Sequence, residues 1–284
     1  MTSRATLVGA CAILLWSSLA LLTAASGAMP PFQLAAITFA IGAALGLAWA
    51  GARGTLGALR QPWPVWALGV GGLFLYHALY FAALRQAPAA EAGLIAYLWP
   101  LLIVLLSALL PGERLLARHV LGALLGLAGV AALILSGKGL TPEPRHAAGY
   151  ALALACAFVW AAYSVASRAF KQVPSDAVAG FCLATAALAL AAHLAFETAV
   201  WPQAPSQWLA IAALGLGPVG LAFYVWDHGV KHGDIRLLGV ASYAAPVLST
   251  LLLVATGHAQ ASWGLGLACA LIAGGAVVAA RKGG

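Results

Sequence analysis

The sequence predicts an all-α membrane protein of ten transmembrane helices, arranged as two inverted five-helix repeats. Three observations predict this class: the composition, the lengths of the apolar runs and an internal repeat. Hydrophobic residues fill 63% of the 284 positions, charged residues only 7%, and the mean hydropathy is +0.97. A soluble domain carries roughly 25% charged residues. A chain with so few charges is suited to hydrocarbon rather than to water.

The apolar runs set the helix count, because a spanning helix needs roughly 20 mostly apolar residues. Pro and Gly punctuate the short breaks, as at Met29-Pro30-Pro31 and Pro111-Gly112. The runs are too long for strands and do not alternate in polarity. The predicted spans are residues 5–26, 32–51, 63–86, 88–110, 115–136, 147–168, 175–197, 206–229, 235–256 and 261–280.

The distribution of Lys and Arg predicts the orientation, because cytoplasmic loops carry an excess of these residues. With the N-terminus in the cytoplasm, 11 of the 14 basic residues fall on the cytoplasmic side. Only Arg85, Lys138 and Arg145 fall on the other side. Both termini are therefore expected to be cytoplasmic.

An internal repeat divides the chain. Residues 80–100 and 226–246 share a pattern at an offset of 146. Chance similarity between apolar segments is the alternative, but several aromatic and helix-breaking positions agree at this one offset. The agreeing pairs are Tyr80 with Trp226, Gly93 with Gly239, Tyr97 with Tyr243 and Pro100 with Pro246.

The repeat predicts two halves, residues 1–140 and 141–284, with five spans each. Five is an odd number, so the second half must enter the membrane from the opposite side. Inverted halves are typical of transporters, in which the substrate site lies near the midplane between the repeats.

Aromatic and polar residues recur near the middle of spans 1, 3, 4, 6 and 9. Trp and Tyr normally lie at the membrane interfaces. Each mid-span residue taken alone is most often a packing residue, but together they could stack on a flat substrate and bind its polar end, or hold an ammonium group. The candidate substrate-binding residues are Trp16, Tyr76, His77, Tyr80, Tyr97, Trp99, Trp160, Tyr163 and Ser242.

Two prolines lie inside predicted spans at equivalent positions of the repeat. Pro100 and Pro246 each free a backbone carbonyl and favour a kink. One interpretation is a purely structural kink, and the other is a pair of hinges for alternating access. Pro100 and Pro246 are therefore candidate hinges.

Ionisable groups are scarce at mid-depth. No acidic residue lies at the centre of a span; Glu91 and Asp227 come nearest, and His77 is the one ionisable group close to mid-depth. Proton-driven carriers commonly use a carboxylate within the membrane. The pattern therefore favours movement down a gradient, with proton coupling left open.

The composition and motifs exclude other classes. The basic residues occur singly or in pairs between apolar runs, so the net charge of +7 does not indicate nucleic-acid binding. The sequence has no zinc-protease motif, phosphate loop or nucleophile elbow. The four cysteines show no metal-ligand spacing. The chain is therefore expected to be no enzyme and to need no metal or cofactor.

Two short aromatic runs show a family resemblance. The runs Tyr76-His77-Ala78-Leu79-Tyr80-Phe81 and Tyr97-Leu98-Trp99-Pro100 resemble the EamA-type branch of the drug/metabolite transporter superfamily, and within it bacterial aromatic amino acid exporters. The resemblance implies a basket-like fold in the bacterial inner membrane. It also implies export of aromatic and other neutral amino acids, and of flat cations, through a central cavity lined by the candidate residues.

Three functions remain open from the sequence. They are an aromatic amino acid exporter, a carrier of the same fold for another metabolite or flat cationic drug, and an intramembrane enzyme or scaffold subunit. The scarcity of mid-span carboxylates counts against an enzyme, and a scaffold would not need inward-facing aromatic residues. The expected partners are a small-molecule substrate and membrane lipids, with the chain acting as a monomer.

Overall fold

The computed structural model describes residues 2–112, 115–135, 143–257, 260 and 262–281, which contain helices and no strand. Ten helices in this described part are long and apolar enough to cross a membrane. They are α1 (Arg4–Ala25), α2 (Pro31–Ala52), α3 (Trp63–Gln86), α4 (Ala89–Leu109), α5 (Ala117–Ile134), α6 (Pro144–Ala169), α7 (Ser175–Phe196), α8 (Pro205–His232), α9 (Ile235–Ala255) and α10 (Trp263–Ala280).

The structure confirms the predicted fold class. Each predicted span corresponds to one helix, with both ends within about three residues. The predicted boundary between residues 140 and 141 lies outside the described residues, as do Arg114, Lys138 and Lys282 of the charge count.

Ten crossings return the chain to the side on which it starts. We call the side of Arg4 and Ala280 the terminal face and the other side the opposite face. Helix α1 begins at the terminal face and α6 at the opposite face, so the two five-helix halves are inverted.

The two halves repeat each other closely. Helices α2 and α7 are offset by 144 residues at both ends, and α1 and α6 share this offset at their last residue. Helices α4 and α9, and likewise α5 and α10, are offset by 146 residues at both ends. The π-helical segments Gly71–Leu75 of α3 and Gly217–Leu221 of α8 also differ by 146. The sequence repeat therefore extends to the irregular turns.

Helices α4 and α9 are each interrupted once. Residues 97–98 separate Ala89–Ala96 from the next helical segment of α4, and residues 242–243 separate Ile235–Ala241 from the next segment of α9. Backbone that leaves regular helix at membrane depth must be buried in protein or line a cavity. The interruption of α4 borders an internal cavity, and that of α9 is fully buried in protein.

Helices from the two halves pack against each other throughout. Helix α2 packs on α7, α5 on α10, α1 on α8 and α3 on α6. The α5–α10 pair brings two backbones into contact, since a Cβ added to Gly122 would lie 2.6 Å from the carbonyl oxygen of Gly275. Such close approach is typical of small residues at helix contacts in membranes.

Candidate functional site

A central cavity of about 160 Å³ lies between the two halves. Its wall comes from α1, α3, α4, α6, α8 and α9, and it includes the interruption in α4 and the π-helical segment of α8. Among the described residues, no Asp, Glu, Lys or Arg lines it. The lining residues are Trp16, Leu19, Tyr76, His77, Tyr80, Ala96, Tyr97, Trp99, Trp160, Pro218, Val219, Phe223 and Ala245.

Aromatic rings form most of the wall. Trp16 lies edge-on to Trp99 and Trp160, with ring centroids 6.3 Å and 5.7 Å away. On α3, Tyr76 and Tyr80 stack at 6.3 Å with their planes only 9° apart. Centroids 4.5–7 Å apart are the favourable range for ring pairs. The rings hold one another in place and present edges and faces to the cavity.

The imidazole of His77 has a fixed orientation. Its Nδ1 lies 2.7 Å from the carbonyl oxygen of Leu73, one turn earlier in α3. A carbonyl only accepts, so Nδ1 carries the proton, and in the neutral ring Nε2 is an acceptor. The ring lies edge-on to Phe39, with centroids 5.1 Å apart. No described protein atom hydrogen-bonds Nε2, which is available to a ligand.

The cavity continues toward the opposite face. A second cavity of about 420 Å³ shares Leu19, Tyr76, His77 and Tyr80 with it and extends to Leu84 and Arg85 at the end of α3. This volume lies within the range of roughly 300–1,000 Å³ typical of small-molecule sites. The central cavity is therefore open toward the opposite face.

A layer of buried rings closes the cavity on the terminal side. Trp226 of α8 is fully buried and donates its indole N–H to the hydroxyl oxygen of Ser164 at 3.1 Å. Its ring centroid lies 5.1 Å from that of Trp16 and 5.9 Å from that of Trp99. A bonded and packed indole at this depth blocks passage toward the terminal face.

A buried ion pair lies beyond this layer. Lys231 contacts Asp227 at 2.7 Å, and both side chains are at most 3% exposed. Ser175 donates to the same carboxylate at 2.6 Å, and Lys231 also donates to the carbonyl of Val173. Buried charges are tolerated when they are paired and their remaining hydrogen bonds are made. The pair ties α8 to the start of α7 on the closed side.

The opposite face has a different ionic cluster. The carboxylate of Glu197 accepts the backbone N–H groups of Phe32 and Gln33 at the start of α2, both at 3.1 Å. It also contacts His193 at 3.0 Å and Arg85 at 3.3 Å. A carboxylate at a helix N-terminus satisfies free N–H donors and stabilises the helix dipole. Glu197 thus fixes the ends of α2, α3 and α7 around the opening.

Seven of the nine predicted substrate-binding residues line the central cavity: Trp16, Tyr76, His77, Tyr80, Tyr97, Trp99 and Trp160. Tyr163 and Ser242 do not. Tyr163 is 2% exposed and packs on Gly72, and Ser242 is fully buried and donates to the carbonyl of Leu238. Both lie on the terminal side of the cavity.

The two candidate hinge prolines occupy matching places. Pro100 follows the interruption of α4 by two residues, and Pro246 follows that of α9 by three. Their proximity to the breaks agrees with a kink at each site. Movement at these kinks stays a prediction.

Two important residues were absent from the predicted set, Phe223 and Trp226. Phe223 forms the base of the cavity and stacks on Phe39 at 5.5 Å with a 6° angle between planes. The sequence signal that could have found them is the offset of 146, which pairs Phe223 with His77 and Trp226 with Tyr80.

Comparison with known proteins gives close relatives over nearly the full chain. The aromatic amino acid exporter YddG of Ancylobacter novellus is 63% identical over 281 residues, covering 98% of this chain and 97% of that protein. Proteins of the same name from Salmonella typhimurium and Escherichia coli are 30% and 28% identical, covering 89% and 99% of this chain. A solved crystal structure with 62% identity superposes with a TM-score of 0.95 over 99% of this chain and 97% of that one.

The sequence model of the EamA-like transporter family matches the chain twice, over residues 3–135 and 147–281. The two matches coincide with the two inverted halves. Because one family pattern accounts for both halves and almost all of the chain, the chain belongs to the EamA-like transporter family of the drug/metabolite transporter superfamily.

Proposed function

We propose that this chain exports aromatic and other neutral amino acids across the bacterial inner membrane by alternating access. The observation that carries the proposal is the wall of the central cavity, where rings of Trp16, Trp99 and Trp160 surround the space and no charged side chain among the described residues lines it. Such a site accommodates a flat side chain and discriminates against an acidic or basic one. The relative named aromatic amino acid exporter, at 63% identity, supports the same substrate class.

The polar groups of the wall suggest how the amino acid backbone is bound. The free Nε2 of His77 accepts a hydrogen bond from the substrate ammonium, and the faces of neighbouring rings attract the same charge. The hydroxyl groups of Tyr76, Tyr80 and Tyr97 can donate to the carboxylate. The side chain then points toward the tryptophans.

The direction of opening follows from the basic residues. Arg4, Arg168 and Lys171 line a wide recess of about 1,090 Å³ on the terminal face. Under the positive-inside rule this face is cytoplasmic, with both termini inside. The structure then represents the state open to the periplasm, from which an exported amino acid leaves.

The cavity is complete within one chain, which supports a monomeric carrier with no catalytic step. In this proposal the repeats divide at residues 140 and 141, between α5 and α6. The kinks beside Pro100 and Pro246 act as hinges that let each half open toward one face in turn.

The test is exchange in proteoliposomes. Vesicles loaded with unlabelled phenylalanine are supplied with labelled phenylalanine, tryptophan, threonine or glutamate, with and without a pH gradient. We expect exchange of the aromatic and some neutral amino acids, with little effect of the gradient and none for glutamate. Absence of exchange for every amino acid would refute the proposal. Uptake of a labelled flat organic cation in that case would indicate a drug carrier of the same fold.

A further inference from the structure

The residues around the open cavity have buried counterparts in the other half. Four positions on the open side line either of the two connected cavities, whereas the four equivalent positions line neither and are between 0 and 3% exposed. The pairs, offset by 144 in α1/α6 and by 146 in the later helices, are Leu19 with Tyr163, Thr23 with Ser167, Tyr80 with Trp226 and Tyr97 with Tyr243.

The members of each pair lie at mirrored depths. Tyr97 is eight residues from the opposite-face end of α4, which starts at residue 89, and Tyr243 is eight residues from the terminal-face end of α9, which starts at residue 235. At about 1.5 Å per residue, each lies about 12 Å from its own face. The buried set therefore lies where a cavity open to the terminal face would form.

Tyr243 makes a hydrogen bond between the two interrupted helices. Its hydroxyl oxygen accepts the backbone N–H of Leu101 in α4 at 3.2 Å. The ring also packs directly on Gly126 of α5. In contrast, the hydroxyl of Tyr97 makes no hydrogen bond to any described protein atom and faces the cavity. Equivalent tyrosines thus have opposite roles in one structure.

We propose that Tyr243 and Tyr97 exchange these roles during transport. In the state open to the terminal face, the Tyr243 hydroxyl leaves the N–H of Leu101 and lines the substrate cavity, while the Tyr97 hydroxyl accepts the N–H of Val247, the residue equivalent to Leu101. Ser167 becomes exposed with Tyr243, and Thr23 becomes buried with Tyr97. The inference rests on the proposed alternating access and identifies the contact that controls it.

One asymmetry sets which state is favoured at rest. Gly126 leaves space for the ring of Tyr243, but the equivalent position in α10 is Ile272. Tyr97 therefore has no matching recess when it is buried. The state open to the opposite face is stabilised by packing that the other state lacks.

Two cysteine reporters test whether Tyr97 and Tyr243 exchange roles, and they need no transport measurement. Ser167→Cys and Thr23→Cys are introduced separately into the full chain after Cys11, Cys156, Cys182 and Cys269 are changed to alanine. A membrane-impermeant maleimide is then applied from the terminal face for Ser167→Cys and from the opposite face for Thr23→Cys. The rate of modification reports how often each side is open.

Tyr243→Phe removes the hydroxyl and keeps the ring, and Gly126→Ala obstructs the recess. We expect Tyr243→Phe to raise the rate at Ser167→Cys by about two- to tenfold, the effect of losing one hydrogen bond, and to lower the rate at Thr23→Cys. Gly126→Ala should change both rates in the same directions, because its methyl group clashes with the ring of Tyr243. The control Gly266→Ala, whose added methyl meets nothing within 4 Å, leaves both rates unchanged.

Unchanged rates at Ser167→Cys in both variants would overturn the proposal, as would a rise at both reporters, which indicates general loosening. Because no substrate is used, these outcomes are separate from those of amino acid exchange. If the labelling rates change as expected but no amino acid is transported, the proposed roles of Tyr97 and Tyr243 in gating stand and only the substrate assignment is refuted.

Discussion

Trp16 of α1 donates its indole N–H to the backbone carbonyl of Pro218 in α8 at 3.1 Å. The carbonyl belongs to the π-helical segment Gly217–Leu221, where regular helical bonding is interrupted. An indole N–H at mid-membrane and an irregular carbonyl each need a partner. One hydrogen bond between the two halves satisfies both and fixes a ring in the cavity wall.

Trp16→Phe should destabilise the protein because it keeps an aromatic ring but leaves the carbonyl of Pro218 without its donor. We expect a loss of about 1–3 kcal/mol in the free energy of unfolding. The midpoint of thermal unfolding in detergent measures this. Trp208→Phe, at an exposed interfacial ring, is the control. Equal midpoints for the two variants would contradict the importance of this bond.

His77→Phe should weaken substrate binding more than it weakens folding. The phenyl ring keeps the contacts with Phe39 and Phe223, which lie 5.1 Å and 6.3 Å from the imidazole centroid, but it offers no acceptor. A hydrogen bond to a charged group contributes about 1.5–3 kcal/mol, so the KM for phenylalanine should rise by about ten- to a hundredfold. An unchanged KM would remove His77 from ammonium binding.

The helices and most of the cavity could be predicted because both depend on the length of an apolar run. A residue such as Trp99 at the middle of such a run is at mid-depth whatever its neighbours are. The sequence could not show on which side the cavity is closed, and Tyr163 and Ser242 lie on the closed, terminal side. Depth is encoded locally, but conformational state depends on tertiary contacts.

Trp226 shows where local patterns were insufficient. The predicted span ended at residue 229, three residues after Trp226, and the predicted site did not include Trp226. Helix α8 extends to His232, because Asp227 and Lys231 neutralise each other one turn apart on it. The extension moves Trp226 into the interior. The sequence shows that Asp227 and Lys231 are four residues apart, but only the structure shows that they are buried together and so let the helix continue.

Glu197→Gln should destabilise the opposite face. Glutamine can still accept from the N–H groups of Phe32 or Gln33, but it loses the charge that faces Arg85 and His193. Because the Glu197 side chain is only 2% exposed, we expect a loss of about 1–3 kcal/mol. Thermal unfolding in detergent checks this.

Glu143→Gln is the matched control, since Glu143 pairs with Arg145 at a site where both are at least 48% exposed. Exposed ion pairs contribute about 0–1 kcal/mol. A larger effect at Glu143 than at Glu197 would contradict the assignment of Glu197 as the centre of this cluster.

Gly122→Ala and Gly266→Ala should act in opposite directions. An added methyl at Gly122 would meet the Gly275 carbonyl oxygen at 2.6 Å and force α5 away from α10, whereas at Gly266 it meets nothing within 4 Å. Alanine is favoured over glycine in helices by about 1 kcal/mol. Gly266→Ala should therefore raise the unfolding midpoint and Gly122→Ala should lower it. A rise in both would show that the two backbones are not in contact.

The most direct test of the account compares phenylalanine exchange by the wild type, Trp99→Ala and Trp63→Ala in proteoliposomes. Trp99 is 7% exposed in the cavity wall, and Trp63 is 78% exposed at the start of α3. Loss of a stacking ring at the site removes at least about 1.5 kcal/mol of binding, so Trp99→Ala should exchange at least about tenfold more slowly. Trp63→Ala should match the wild type, with all three proteins monodisperse. Equal exchange by Trp99→Ala and the wild type would contradict passage through this cavity.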